Sequence, residues 1–515
     1  MTAAALTSVL IWLPIGAGIL LFVVPLPRYW TGGLAVLVSL LEVALWIEQA
    51  TRFDFSSSGL QFEERARWFG DLGVSYHVGF YGFSLWLVGL TAVAMAACVA
   101  YGFWSQRTRP RAYFGLMLLL TGAVVGVFAA QDLLLFYAFF EAMLIPLYIL
   151  IGVWGGPGRR TATLTFVIYT MVGSLLMLAA LIVFGLKAGT FDLVDSGTST
   201  DRWVFLGFAI AFAIKSPLFP FHGWLPGAYR ESPPEVSAVL SGVVAKAGLY
   251  GFLRIAIPKF PEPTQYYRPL MLALAAAALI YGSFLAFRAP DFRGVVAYSS
   301  LAQAGLITLG LFAGTDLGYS GAVLQMVVHG LVSTSLFLLA GAIERRATTG
   351  DFVFLGGFAR GRPLLATILM TTGIISLAVP GSSAFAGEFL ILSGSYQRAW
   401  WWAVLGATGI VLAAMYMLRL ISAVLHQSPG PRVVPEALDL RPAELGVVVP
   451  LVGLLLALSV WPAGISQHSF AGNAAQAVSQ QFRAAAGTTP GASAAACPET
   501  AAGADVTHLR AMGCP

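Results

Sequence analysis

Five side chains that can hold and release a proton lie inside long apolar stretches of this sequence. They are Glu141, Lys215, Lys246, His329 and Glu388. A charge in the middle of a bilayer costs about 2.5–3.5 kcal/mol on insertion scales. Because the five residues lie on separate stretches, no pairing within one helix explains them. They must therefore face one another or water.

The residue types favour proton transfer over simple charge pairing. A proton path needs side chains that can be charged or neutral near pH 7, and buried glutamate, lysine and histidine can be both. Arginine cannot release its proton, and none of the five is arginine. The alternative is that each charge belongs to an ion pair that ties two helices together. That alternative fits one isolated pair better than it fits the whole series.

The composition indicates where these residues are placed. The chain has 515 residues, of which 58% are hydrophobic and 10% are charged. Soluble domains carry roughly 25% charged residues, so an ordinary soluble enzyme and a disordered chain are both excluded. At about 20 apolar residues per span, the sequence predicts an all-α polytopic membrane protein with about 14 transmembrane helices. The net charge of +5 comes from scattered basic residues in loops and indicates a lipid bilayer, with no nucleic-acid partner.

Two of the predicted spans are interrupted by proline. Span seven, near residues 202–228, contains KSPLFPFHGWLP, and span twelve, near residues 363–395, contains AVPGSSAFAGEF. Proline removes a backbone donor, and a bilayer tolerates the freed groups only where they are buried or line a wet cavity. Discontinuous helices five spans apart predict two copies of a five-helix unit, as in transporters. Two unrelated proline kinks are the alternative.

This interpretation divides the chain into five parts. They are three N-terminal helices in residues 1–111, a first five-helix repeat in 112–260, a second in 261–430, a last helix in 431–470 and a flexible tail in 471–515.

The arginines predict the orientation in the membrane. Basic residues follow odd-numbered spans, and acidic residues collect after even-numbered spans. The positive-inside rule then places the odd loops in the cytoplasm and both termini on the outer face. The basic residues are Arg107, Arg109, Arg111, Arg159, Arg160, Arg345, Arg346, Arg360 and Arg362.

Motifs for cofactors are not recognisable in the sequence. It has no P-loop, no GxGxxG after a strand, no CxxCH and no HExxH. It has three cysteines and no CxxC pair. We therefore expect this chain to bind no cofactor and no metal. Cys98 is expected in the core, and Cys497 and Cys514 could pair if the tail is exported.

Several stretches resemble a known family. FEAMLIPLYILIGVWGG, KSPLFPFHGWLP, HGLVSTSLFLLAGAIERR and PGSSAFAGEFLIL are similar to the antiporter-like M subunit, of ND4 type, of bacterial NADH–quinone oxidoreductase, which is respiratory complex I. The similarity covers roughly residues 80–430. It implies fourteen helices in the bacterial inner membrane, two inverted five-helix repeats with discontinuous helices seven and twelve, and proton translocation. It also implies L-type and N-type antiporter-like partner subunits, with NADH, FMN, iron–sulfur clusters and quinone held by other subunits.

The same resemblance implies a role for each buried residue. Glu141 would couple to the neighbouring subunit, and Lys215 would be its ion-pair partner. Lys246 would be the central relay, and His329 would continue the hydrophilic axis. Glu388 would lie at the exit end.

The sequence also departs from the family pattern. Gly227 and Tyr229 stand where the family usually has an acid and a histidine, and Gln303 replaces a histidine of helix ten. Phe292-Arg293 stands where a basic pair is usual. Since glutamine does not titrate, the step from Lys246 to His329 would rely more on water. These departures imply a divergent member.

Other readings remain open on the sequence alone. The chain could be a subunit of a multi-subunit sodium/proton antiporter or of a membrane-bound hydrogenase. A lone secondary transporter would need a polar substrate pocket at the helix breaks. A purely structural subunit would tolerate replacement of Lys246.

Polar residues outside the main series are assigned simpler roles. His222 is expected to hydrogen-bond the broken backbone, and Glu42 to face a partner protein. Asp132, Glu344 and Arg419 are expected to be anchors at the membrane interface.

Overall fold

The computed structural model describes residues 5–70, 73–433, 438–472, 474 and 477–478. The predictions for Cys497 and Cys514, and for most of the tail, lie outside these residues. The helices are α1 (Ala5–Val23), α2 (Arg28–Arg52), α3 (Gly82–Trp104), α4 (Pro110–Ala129), α5 (Leu133–Trp154), α6 (Arg159–Ala188), α7 (Arg202–Lys215), α8 (Leu225–Glu231), α9 (Pro234–Lys259), α10 (Pro261–Arg288), α11 (Phe292–Ala313), α12 (Asp316–Ala347), α13 (Pro363–Ser376), α14 (Ser383–Arg398), α15 (Trp400–His426), α16 (Pro442–Val460) and α17 (Ala463–Ser466).

The prediction of a helical membrane fold is confirmed. Within the described ranges, 12 helices are long and apolar enough to cross a membrane. The broken stretches are the pairs α7 with α8 and α13 with α14, which are separated by non-helical residues 216–224 and 377–382. The total of fourteen spans and the inverted repeat stay predictions.

Burial separates central helices from peripheral ones. The apolar parts of α9 and α12 are completely buried and α11 is nearly so, whereas well under half of the apolar part is buried in α2, α6 and α16. A helix that is apolar all round belongs inside a bundle, and an exposed apolar face in a membrane protein meets lipid or another subunit. The central helices α9 and α12 carry Lys246 and His329.

A β-hairpin lies between α2 and α3 and was not predicted. Strand β1 (Gln61–Phe69) pairs antiparallel with β2 (Val74–Phe80). The hairpin is an addition to the helical fold that the sequence predicts. The charges of β1 indicate a loop, and the apolar β2 merges in the sequence with the start of α3. The pairing is tertiary as well as local, because Val78 also bridges to Ala130 at the end of α4.

Two of the simpler assignments are also wrong. Glu42 is 1% exposed, so it lies inside this chain and not on a face for a partner. Asp132 is fully buried and caps α5, because its carboxylate accepts the backbone N–H groups of Leu134 and Leu135. The sequence places both residues near apolar stretches but does not give their depth.

Candidate functional site: a buried polar row

Lys246 lies in the middle of α9 and is 2% exposed. Here the helix is not regular, since Leu240–Val244 and Phe252–Ala256 on either side of it have the wider π-helical turn. The Lys246 ammonium donates to the backbone carbonyl of Ser241 at 2.7 Å. Wider turns of this kind leave carbonyls available for other partners and recur at functional sites.

Three buried hydroxyls meet beside Lys246. Ser241 Oγ is 2.7 Å from Ser300 Oγ on α11, and Ser333 Oγ on α12 donates to Ser241 Oγ. Helices α9 and α12 can approach this closely because residue 242 is glycine, where a Cβ would lie 2.3 Å from Thr334 Oγ1. Sequence reasoning missed this serine cluster. Serine is common in membrane helices, so the residue type alone does not indicate a functional site. Only the positions of these serines in the folded chain mark them.

His329 continues the row along α12. It lies one helical turn from Ser333 and one turn from Gln325, so the three side chains share one face. Its ring is 6% exposed, and its Nε2 has no hydrogen-bond partner within the described part of the chain. A buried polar atom of this kind needs a partner such as an ordered water.

Glu388 on α14 ends the row. Its Oε1 accepts from Gln303 Nε2 at 2.9 Å and from Gln325 Nε2 at 3.4 Å. Gln325 also donates to Gln303 Oε1 at 2.8 Å. Gln303, where the sequence departs from the family pattern, is therefore the direct neighbour of Glu388. Gln325 was not predicted from the sequence.

Lys215 and Glu141 lie together near the break between α7 and α8. Lys215 ends α7 and is 3% exposed, and its Nζ is 4.8 Å from the centre of the Phe140 ring. Glu141 follows Phe140 on α5 and is partly exposed. Their charges are close enough to interact, but among the described residues they form no ion pair within 4.0 Å. A helix C-terminus favours a cation such as Lys215.

The break after Lys215 is held by a tryptophan. Trp224 Nε1 donates to the backbone carbonyl of Ile214 at 2.9 Å, which satisfies a group that the ending helix leaves open. The prediction for His222 is wrong, because its Nδ1 has no partner among the described residues and its ring packs against Phe219 and Tyr281.

A glycine brings this break close to the Lys246 helix. A Cβ at residue 248 would lie 2.6 Å from the backbone oxygen of Phe212 and 2.8 Å from the nitrogen of Ser216. Polar groups thus lie on both sides of His329, with Lys246 and the serine cluster toward one side and Gln325, Gln303 and Glu388 toward the other. Within the described part of the chain, His329 makes no side-chain hydrogen bond to either group. Lys215 and Glu141 form a second group, and the end of α7 that carries Lys215 packs against the same helix.

A further titratable cluster lies under the hairpin, outside the spanning segments. Asp192 is fully buried, and its carboxylate accepts from His77 Nδ1 at 2.6 Å and lies 3.1 Å from the Arg65 guanidinium. Glu63 Oε1 lies 3.0 Å from the other ring nitrogen of His77. Burial by itself raises the pKa of Asp192, but the His77 bond, the Val194 N–H and Arg65 together hold that pKa below its ordinary value.

This depressed pKa predicts how the hairpin responds to acid. The carboxylate of Asp192 stabilises the docked hairpin fully above its unfolded pKa of about 3.9 and loses that effect as the pH falls through the lower folded pKa. Hydrogen exchange of the amides of Gln131 and Leu193, corrected for intrinsic rate, should therefore speed up in acid. Asp192→Asn should already exchange faster at pH 7 and depend less on pH. Equal protection in Asp192→Asn and in the control Asp201→Asn would contradict this account.

No metal site is evident among the residues that the structure describes. No group of three or more His, Cys, Asp or Glu side chains in those ranges lies together in a way that could hold a metal ion.

The fold and the polar row define an antiporter-like membrane subunit. The chain belongs to the family described as "NADH:quinone oxidoreductase/Mrp antiporter, TM", whose profile matches residues 130–413. It is 37% identical over 438 residues to NADH-quinone oxidoreductase subunit M of Rickettsia prowazekii, which covers 84% of this chain and 89% of that protein. It is 36% identical to NADH-ubiquinone oxidoreductase chain 4 of Marchantia polymorpha over 88% of this chain and 93% of that one.

Solved structures show the same fold. A chain of respiratory complex I from Thermus thermophilus with bound NADH matches with a TM-score of 0.84 and 34% identity, over 92% of this chain and 99% of that chain. A chain of the Mrp complex from Dietzia sp. DQ12-45-1b also matches with a TM-score of 0.84, at 22% identity, over 94% of this chain and 99% of that chain. At that lower identity the likeness concerns the fold alone.

Proposed function

We propose that this chain is an M-type subunit of a bacterial NADH–quinone oxidoreductase and that it moves protons across the inner membrane without binding a redox cofactor itself. The observation that carries the proposal is the buried row from Lys246 through the serine cluster, His329 and Gln325 to Glu388. Apolar helices do not retain such a row unless its cost is offset, since unpaired polar groups in a bilayer are expensive.

The proposed mechanism is electrostatic. A neighbouring subunit changes the distance between Glu141 and Lys215, which are not in contact in this structure. Two unit charges about 5 Å apart, at an effective dielectric constant of about 20, have an interaction energy of roughly 3 kcal/mol, so Glu141 can stabilise the charged form of Lys215 by that amount. Because about 1.4 kcal/mol corresponds to a tenfold change in occupancy, this is on the order of a hundredfold change in the proton occupancy of Lys215, and the charge of Lys215 in turn acts on Lys246.

The row gives the proton a route away from Lys246. Lys246 contacts the backbone carbonyl of Ser241, which does not relay a proton, so the step from Lys246 to the serine hydroxyls needs a water. Ser241 and Ser333 each have a hydroxyl that both donates and accepts, so they can then pass a proton in either direction. His329 receives it with the help of a water at Nε2, which has no hydrogen-bond partner among the described residues. Gln303 and Gln325 do not titrate, so they position the Glu388 carboxylate while water or His329 delivers the proton. Glu388 is the exit end.

The placement of the chain follows the same proposal. The partners are the L-type and N-type antiporter-like subunits, and NADH, FMN, iron–sulfur clusters and quinone belong to other subunits. The arginine-rich loops face the cytoplasm, so both termini lie on the outer face. The acid-rich hairpin end, with Asp192 and Asp195 around Arg65, lies on the outer side.

The test is to purify the assembly through an affinity tag on this chain and reconstitute it into vesicles. We expect NADH oxidation by quinone, together with acidification of the lumen that does not depend on sodium. Sodium/proton exchange without NADH oxidation would replace the proposal with an antiporter complex, and hydrogen evolution would replace it with a hydrogenase. Transport of a solute by the chain alone would exclude the oxidoreductase, the antiporter complex and the hydrogenase.

A further inference from the structure

A groove runs along the outside of the bundle below the β-hairpin. It lies between α1, α4, α5 and the hairpin, and its volume is about 640 Å³. Its walls are mainly apolar, with Leu135, Ala138 and Ala142 along α5. Arg67, Trp68 and Tyr76 of the hairpin line one end. We call this feature the hairpin groove.

The length of the hairpin groove along α5 matches the thickness of one leaflet of a bilayer. Its α5 wall extends from Leu135 to Pro146. Eleven residue steps at about 1.5 Å each give roughly 16 Å, which is close to half of the hydrocarbon thickness of about 30 Å. Small residues make the space, because Ala138 and Ala142 lie one turn apart and are both exposed. At about 30 Å³ for each water-sized group, the volume holds on the order of twenty such groups.

The hairpin end of the groove has the chemistry of a headgroup site. Arg67 is exposed and has no hydrogen bond or ion pair within the part of the chain that the structure describes. The other arginine on the same strand, Arg65, contacts Asp192 and Asp195. Trp12 and Trp68 at this end are each 50% exposed, and tryptophan prefers the depth of lipid headgroups. Arginine binds phosphate oxygens through two parallel hydrogen bonds.

We propose that the hairpin groove binds one phospholipid. An acyl chain lies against Ala138 and Ala142, and the phosphate binds Arg67. An anionic phospholipid binds more tightly than a zwitterionic one, because the latter adds a cation beside the arginine. The proposal goes beyond proton translocation and does not depend on which assembly contains this chain.

The neighbouring subunit is the competing occupant of this face. A protein surface would have to supply both a long apolar segment and an anion for Arg67. One phospholipid supplies both at the required spacing. The experiment separates the two occupants.

The experiment labels the complete tagged assembly with a phosphatidylglycerol that carries a photoreactive group on its acyl chain. We expect labelling of α5 peptides to fall at least tenfold when the groove is filled by Ala138→Phe. The matched control is Ala179→Phe, at an exposed alanine of α6 outside the groove, which should label as the unmodified chain does. Thermal stability of each assembly is measured in parallel.

The charge is tested separately with a surface variant. Arg67→Gln should lose the preference for phosphatidylglycerol over the phosphatidylcholine analogue, while Arg111→Gln, at an exposed arginine outside the groove, should keep it. Equal α5 labelling in the two phenylalanine variants would overturn the proposal. So would a disulfide or cross-link from Ala138→Cys to a neighbouring subunit in high yield, because that subunit would then fill the groove.

Discussion

NADH-driven proton pumping should fall at least tenfold in both Lys246→Met and Lys246→Arg. Methionine fills a similar volume but carries no proton. Arginine keeps the positive charge and the possible hydrogen bond to Ser241 but cannot release its proton. The measurement is fluorescence quenching of a pH-sensitive dye in inverted membrane vesicles, with assembly checked on a native gel. A loss in both variants identifies Lys246 as a group that gives up its proton.

The arginine variant separates the relay from a structural charge. If Lys246 only pairs with a neighbour, Lys246→Arg pumps normally and Lys246→Met fails to assemble. The matched control is Lys187→Met, since Lys187 is an exposed lysine in an ion pair with Asp201 at 2.7 Å. Normal pumping by Lys246→Arg would refute the role of Lys246 as a proton relay. It would not change the result of purifying the assembly through the affinity tag, which tests which complex contains this chain.

The buried charges and the helix breaks could be predicted because their cost does not depend on the fold. A lysine or a proline in an apolar stretch is unfavourable in any bilayer helix, so Lys215, Lys246 and the Pro217–Pro226 segment are recognisable from the sequence.

The links between those charges could not be predicted. The contact of Ser241 with Ser333 joins residues 92 positions apart, and it exists because α9 and α12 meet at a glycine. Glu388 contacts Gln303 across 85 positions. Neither serine nor glutamine is costly enough in a membrane helix to attract attention alone. The hairpin was missed because the charges of β1 indicate a loop and because its bridge from Val78 to Ala130 forms only in the folded chain.

Arg107→Ala should destabilise the protein by about 3–5 kcal/mol, because it leaves a buried carboxylate without its cation. Glu235 is completely buried at the start of α9. Arg107 donates to it through Nε at 2.6 Å and Nη2 at 2.8 Å, and the Tyr113 hydroxyl donates at 2.6 Å. This cluster fixes the end of the Lys246 helix to α4 and to the loop before it. The measurement is the thermal unfolding temperature of the purified assembly.

The second substitution of the pair distinguishes charge burial from lost packing. In Arg107→Ala with Glu235→Gln the uncompensated charge is gone, so the double variant should be more stable than Arg107→Ala alone. Arg52→Ala removes an exposed i, i+4 ion pair with Glu48 and should cost at most about 1 kcal/mol. An Arg107→Ala protein as stable as Arg52→Ala would show that water reaches Glu235. Glu235 lies eleven positions before Lys246 on the same helix, roughly 16 Å away, so Arg107 takes no direct part in proton transfer at Lys246. Pumping should therefore fall in Arg107→Ala only as far as the amount of assembled complex falls.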